Sequence, residues 1–194
     1  MQRRLKITIV EHDPARASLI EDSLSRAGPY DLNTVSDMSR LTATIAAVNP
    51  DIVLIDLDNP SRDALEALTV ATSPLDRPVA LFVDQGDASL TKQAIEAGVS
   101  AYVVDGLRAD RLKPILDAAV ARFNMFRQMR TELAATKRAL EERKVIDRAK
   151  GILMKARGID EAEAYALLRR AAMDQGRKVI DVAEALVSTA GLLS

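Results

Sequence analysis

Six residues with titratable side chains fall where apolar runs end. Glu11, His12 and Asp13 follow LKITIV, Asp56 and Asp58 lie in and after IVLIDL, and Asp105 follows AYVV. Carboxylates gathered over one edge of a sheet offer the hard oxygens that suit Mg²⁺. Aspartate in a strand-to-helix loop also caps helices, which accounts readily for Asp13 and less readily for Asp56 inside an apolar run. Asp56 is thus the one place where weak Mg²⁺ binding is considered. One histidine and no cysteine leave almost nothing for zinc, and no cofactor is expected. A second group is basic: RAKGILMKARG over 148–158 supplies Arg148, Lys150, Lys155 and Arg157, followed by Tyr165, Arg169, Arg170 and Lys178. Arg148, Lys155 and Arg157 do not share a helical stripe with Ile152 or Leu153 and should face outward. Such cations can meet phosphates, and an exposed tyrosine among them can stack on an unpaired base. The ordinary alternative is a solvated charged face with Tyr165 in the core.

The formal net charge of −1 conceals a segregation of charge. Residues 1–121 hold 12 Lys/Arg against 18 Asp/Glu, residues 122–157 hold 11 against 4, and residues 158–194 hold 4 against 6. A basic middle between two acidic ends points to an anionic partner, or else to a face laced with ion pairs. MQRRLKITIV has an apolar run too short for a signal segment, and no later stretch approaches a membrane span. A cytoplasmic protein is expected.

The elements that must position these groups alternate. Strand-like runs at Leu5–Val10, Asp31–Val35, Ile52–Ile55, Val79–Val83 and Ala101–Val104 alternate with helical patterns at Pro14–Ala27, Ser39–Val48, Arg62–Thr72, Ser89–Ala97 and Arg108–Arg122. The fold class expected is α/β, a doubly wound five-stranded parallel sheet. Leu112–Arg157 reads as one long helix, with Pro114 near its start and Gly151 its only interior glycine. Leu116, Phe123, Phe126, Met129, Leu133 and Leu140 form a narrow apolar stripe, predicting a stalk that pairs with a second copy. Arg130 and Lys137 interrupt the seam, so packing on a neighbouring domain is the alternative. Gly158 ends the helix, Asp160 and Glu163 form a capping box, and Gly176 separates two further helices. The terminal bundle should pack Ile146, Ala149, Leu153, Ala164, Leu167, Leu168, Ala171, Val182 and Leu186. The expected domains are residues 1–121, a helical stalk at 122–143, and a three-helix unit at 144–194.

IVEHDP, LIDLDNP and AGVSAYVVDG together resemble the receiver domain of bacterial response regulators. The resemblance implies a phosphoryl-accepting aspartate at Asp56, but most of the accompanying groups differ. The family's acidic pair falls on Glu11 and His12, its hydroxyl residue on Val83, its lysine on Asp105 and the following proline on Gly106. A carboxylate in place of that ammonium adds repulsion to an anionic pocket. Phosphorylation is therefore not expected to be the switch, and the pocket is read as vestigial. KVIDRAKGILMKARGIDEAEAYALLRRAAMDQGRKVIDVAEALV resembles the ANTAR domain, the RNA-binding output module of transcription antiterminators. That resemblance implies binding, as a homodimer when active, to paired hairpins in a nascent leader RNA, so that a terminator cannot form. VVDGL and the overall match are most similar to the nitrate-responsive antiterminators of nitrate and nitrite assimilation operons. Those are held inactive by a nitrate-sensing partner protein.

Two rival readings are weaker. A phosphorylation-controlled DNA-binding response regulator needs a basic recognition helix, whereas VIDVAEALV carries Asp181 and Glu184. An enzyme would need more than His12 beside Glu11, and no phosphate loop or nucleophile elbow is present. Neither DNA, membrane nor catalysis is expected.

Overall fold

The computed structural model describes residues 4–192, and contacts divide the chain into two compact units between Gln128 and Met129. The first unit begins β1 (Lys6–Val10), α1 (Pro14–Ala27), β2 (Asp31–Val35), a short 3₁₀ turn (Met38–Arg40) and α2 (Leu41–Val48). It continues β3 (Ile52–Leu57), α3 (Arg62–Thr72), β4 (Val79–Val83), α4 (Ala88–Glu96), β5 (Ala101–Val104) and the first part of α5 (Ala109–Arg157). All strand pairs are parallel, in the order β2-β1-β3-β4-β5. The strand order steps from β1 outward in both directions, which creates the switch point beside β1 and β3 where such sheets place their sites.

Both faces of the sheet are dry, which is why its central strands read as unbroken apolar runs. Ile7, Ile9, Ile52, Leu54, Ala80 and Phe82 point to one face, where Ile20 and Leu24 of α1 and Leu112, Leu116 and Ala119 of α5 cover them. Val10, Val53, Ile55, Val79, Leu81 and Val83 point to the other, beneath α2, α3 and α4. Each fully buried Ile or Leu of this kind contributes about 1.5–3 kcal/mol.

Leu116 and Phe123 are 2% and 5% exposed, buried in the first unit. This corrects the expected dimer seam: its first two residues belong to the receiver-like core. Phe126, Met129, Leu133 and Leu140 of the same helix are exposed. The apolar spacing runs on without a break because the helix does, although its surroundings change. Pro114 sits at the sixth position of α5, past the first turn.

In the second unit α5 ends at Gly158, whose φ is +66° and whose N–H returns to the carbonyl of Met154 at 2.9 Å. Asp160 then caps α6 (Glu161–Gln175): its carboxylate accepts from Glu163 N at 2.8 Å, while Glu163 accepts from Asp160 N at 3.4 Å. Gly176, at φ +61°, closes α6, and α7 (Val179–Leu192) follows. Ala149, Leu168 and Ala183 form the buried centre, with Val145, Ile146, Leu153, Val179, Val182, Leu186 and Val187 packed against it. Small residues at the centre let the three helices approach closely. Among the described residues no helix is long and apolar enough to cross a membrane.

Candidate functional site

Two places gather chemistry-bearing groups, one in each unit. In the first unit the carboxyl ends of β1, β3 and β4 bring Glu11, Asp56, Asp58 and Asp84 around one cation, Arg16. That arginine lies in the first turn of α1, aimed by the Asp13 cap, whose carboxylate accepts from Ala15 N at 2.7 Å and Arg16 N at 3.4 Å. Arg16 Nη2 and Nε donate to Asp56 Oδ2 at 2.8 and 3.2 Å, and Nη1 donates to Asp58. Asp84 Oδ2 and Glu11 Oε2 each lie 3.5 Å away. Asp13 is therefore a helix cap, and the pocket's cation is a residue that the sequence reading passed over, as it did Asp84. His12 is exposed, with Nδ1 3.1 Å from Glu11 Oε1.

Asp56 is 1% exposed, and its Oδ1 has no hydrogen-bond partner. Burial raises its pKa; Arg16 opposes this, and the neighbouring Glu11 reinforces it. Burial works to lower the pKa of Arg16, but its bond to Asp56 and the charges of Asp56, Asp84 and Glu11 outweigh that and leave it raised. Val83 is wholly buried in the core beneath α2, α3 and α4 and does not line the pocket, which corrects its expected place there. The residue at the end of β4 that faces Arg16 is Asp84, a carboxylate and not a hydroxyl. Asp105 and Gly106 both adopt left-handed backbone, at φ +73° and +70°. Glycine suits the left-handed backbone at 106, and a Cβ there would stand 2.7 Å from Asp84 Oδ1, so that the carboxylate facing Arg16 would have to shift.

In the second unit the basic residues separate into two kinds. Lys150 is not a free cation: its side chain is 14% exposed, with Nζ 2.5 Å from Asp147 Oδ1 and 2.6 Å from Glu161 Oε1. Its bond to Asp147, then that to Glu161, raise its pKa, and the same bond lowers that of Asp147. Lys150 thus ties α5 to α6 within the chain, unlike the other cations expected to meet RNA. The pairing was legible in part, since Asp147 stands one turn before it; the reach to Glu161 required the fold. Arg148, Lys155, Arg157, Arg169 and Arg170 are exposed, and none has a carboxylate partner among the described residues. Lys178 is exposed, its N–H donating to Asp181 Oδ2 at 3.2 Å at the start of α7.

Tyr165 is 45% exposed and borders a groove of about 540 Å³ between α5 and α6. Ile146, Gly151 and Met154 also line it, with the Lys150–Glu161 tie along one wall. A Cβ at Gly151 would meet nothing within 4 Å. Nothing inside the chain therefore requires glycine there, although a mid-helix glycine costs roughly 1 kcal/mol relative to alanine. α7 carries no lysine or arginine and two acids, Asp181 and Glu184, and offers no basic face to a DNA groove.

A receiver-type sheet joined to a basic three-helix unit defines a regulator of the response-regulator class, and comparison with known proteins agrees. Residues 134–187 match the ANTAR domain family model. The transcriptional regulatory protein PdtaR of Mycobacterium tuberculosis is 33% identical over 142 residues, covering 73% of this chain and 69% of that protein. The nitrate regulatory protein of Klebsiella oxytoca is 37% identical over 86 residues, 44% of this chain but only 21% of that protein. In fold, the CheY-like receiver domain from Methanospirillum hungatei JF-1 superposes with a TM-score of 0.55 at 18% identity, covering 63% of this chain and 98% of that one. The chain belongs to the family of ANTAR-domain transcriptional regulators with a receiver-like first domain.

Proposed function

We propose that this protein is a transcription antitermination regulator that binds two neighbouring hairpins in a nascent leader RNA and so keeps a terminator from forming. What carries the reading is the set of partner-free cations, Arg148, Lys155 and Arg157, with the exposed Tyr165, all inside the stretch that matches the ANTAR model. Looped RNA presents unstacked bases for an aromatic ring and phosphates for guanidinium and ammonium groups. Arg169, Arg170 and Lys178 are further exposed cations of the same unit.

The finer reading is control of nitrate and nitrite assimilation genes, supported by the partial match to the nitrate regulatory protein. A nitrate-sensing partner holds the chain inactive in the cytoplasm, and release lets two copies pair through Phe126, Met129, Leu133 and Leu140. The first domain then serves partner recognition without phosphoryl transfer, for which the carboxylates of Asp84 and Asp105 beside Asp56 are unsuited. The test is a direct comparison of binding to a two-hairpin leader RNA and to a promoter duplex of equal length. Preference for the RNA is expected; preference for the duplex would favour the DNA-binding alternative.

A further inference from the structure

Receiver folds of this type imply a divalent cation among the carboxylates at the ends of β1 and β3. The residues of this chain do not fit one. Mg²⁺ requires oxygen ligands at roughly 2.0–2.1 Å in near-octahedral array. Here the centre of the carboxylate ring is filled by guanidinium nitrogens, within 3.5 Å of Glu11, Asp56 and Asp84 and bonded to Asp58. With Arg16 between them, no three acidic or histidine side chains among the described residues stand where they could hold a metal ion together.

We propose that Arg16 is the pocket's built-in counter-ion, standing in place of a divalent cation and making the receiver-like domain independent of Mg²⁺. The geometry favours a guanidinium for this task. Its planar fork has five N–H donors and a charge that is not titrated away at any working pH. Those donors reach carboxylates from three strand ends at once: Glu11 after β1, Asp56 in β3 with Asp58 just beyond it, and Asp84 after β4. Arg16 cannot drift readily, because the Asp13 cap fixes the first turn of α1 and the side chain is only 29% exposed. Gly106 is consistent with the arrangement, since a Cβ there would crowd the Asp84 carboxylate that faces Arg16. An ion and the guanidinium cannot share the space. A cation that is part of the chain neutralises the pocket permanently, so the fold is held without the ion that phosphoryl transfer in a receiver would recruit.

The experiment is thermal unfolding of the full chain, wild type, Arg16→Ala and Arg16→Lys, in EDTA and in millimolar Mg²⁺, with Mg²⁺ binding followed by calorimetry. The wild type is expected to show no Mg²⁺ binding and no shift in Tm. Arg16→Ala is expected to unfold at lower temperature in EDTA and to recover part of that loss in Mg²⁺, because four carboxylates are left without a cation. Arg16→Lys, which keeps the charge on one donor group, should fall between them. If Arg16→Ala does not fold, the wild-type calorimetry and the Arg16→Lys melt decide the matter. Mg²⁺ binding by the wild type would overturn the proposal, as would an Arg16→Ala chain that melts like the wild type or ignores Mg²⁺. So would Arg16→Lys indifferent in both conditions.

Discussion

Among the cations of residues 148–158, partnership rather than charge decides what each can do. Lys150 is held by carboxylates on two helices, whereas Arg148, Lys155 and Arg157 are held by none among the described residues. Asp147 has a lowered pKa, so its bond to Lys150 contributes above the ordinary carboxylate value and is lost as pH falls through the lower, folded value. Lys150 has a raised pKa, so its contribution is present below the ordinary ammonium value and is lost as pH rises through the higher, folded one. Lys150→Gln should therefore lower the unfolding temperature of the second unit at neutral pH. The difference from the wild type should disappear in strong acid and again in strong alkali, as followed by circular dichroism melts. Tyr165 supports a sharper test. If its ring stacks on a base, Tyr165→Ala weakens leader-RNA binding by about 1–3 kcal/mol, while Tyr165→Phe keeps most of the affinity. A core tyrosine would give the reverse: lost stability and unchanged binding by the folded protein.

At the scale of elements, α5 shows what a sequence pattern can and cannot reveal. Its continuity was legible because only Gly151 interrupts it between Pro114 and Gly158. Its surroundings were not, because spacings of three, four and seven look the same against a sheet as against a partner helix. Leu116 packs against the sheet and Phe123 is buried in the first unit for that reason. The strands were legible because both sheet faces are covered, which leaves unbroken apolar runs at Ile52–Ile55 and Val79–Val83. Arg16 was not: a lone arginine two residues past a proline has no signature until three strand ends converge on it. Two outcomes follow for α5. Gly151→Ala should stabilise the helix by about 1 kcal/mol, since the new methyl meets open space. If RNA lies against that surface, the same change weakens binding, which equilibrium melts and a binding titration on one sample would separate. Replacing Leu133 and Leu140 by glutamate should leave a monomer by sedimentation, still folded, that no longer favours paired hairpins over a single one.

Over the whole molecule the charges are sorted by task. The first 121 residues are acidic, and their most buried carboxylates are occupied by Arg16; the excess of positive charge falls at 122–157. A nucleic acid approaching at distance is attracted to the basic segment and repelled by the acidic one, which favours docking by the former. The most direct test is leader-RNA affinity across a salt series, for the wild type, for Arg148→Gln with Lys155→Gln, and for Lys150→Gln. Each phosphate contact in a single-stranded region adds about 0.7 to the slope of log affinity against log salt. The double variant is expected to bind more weakly with a slope shallower by roughly 1.4, and Lys150→Gln to keep the wild-type slope. Wild-type slope and affinity in the double variant would contradict the assignment of these partner-free cations to RNA.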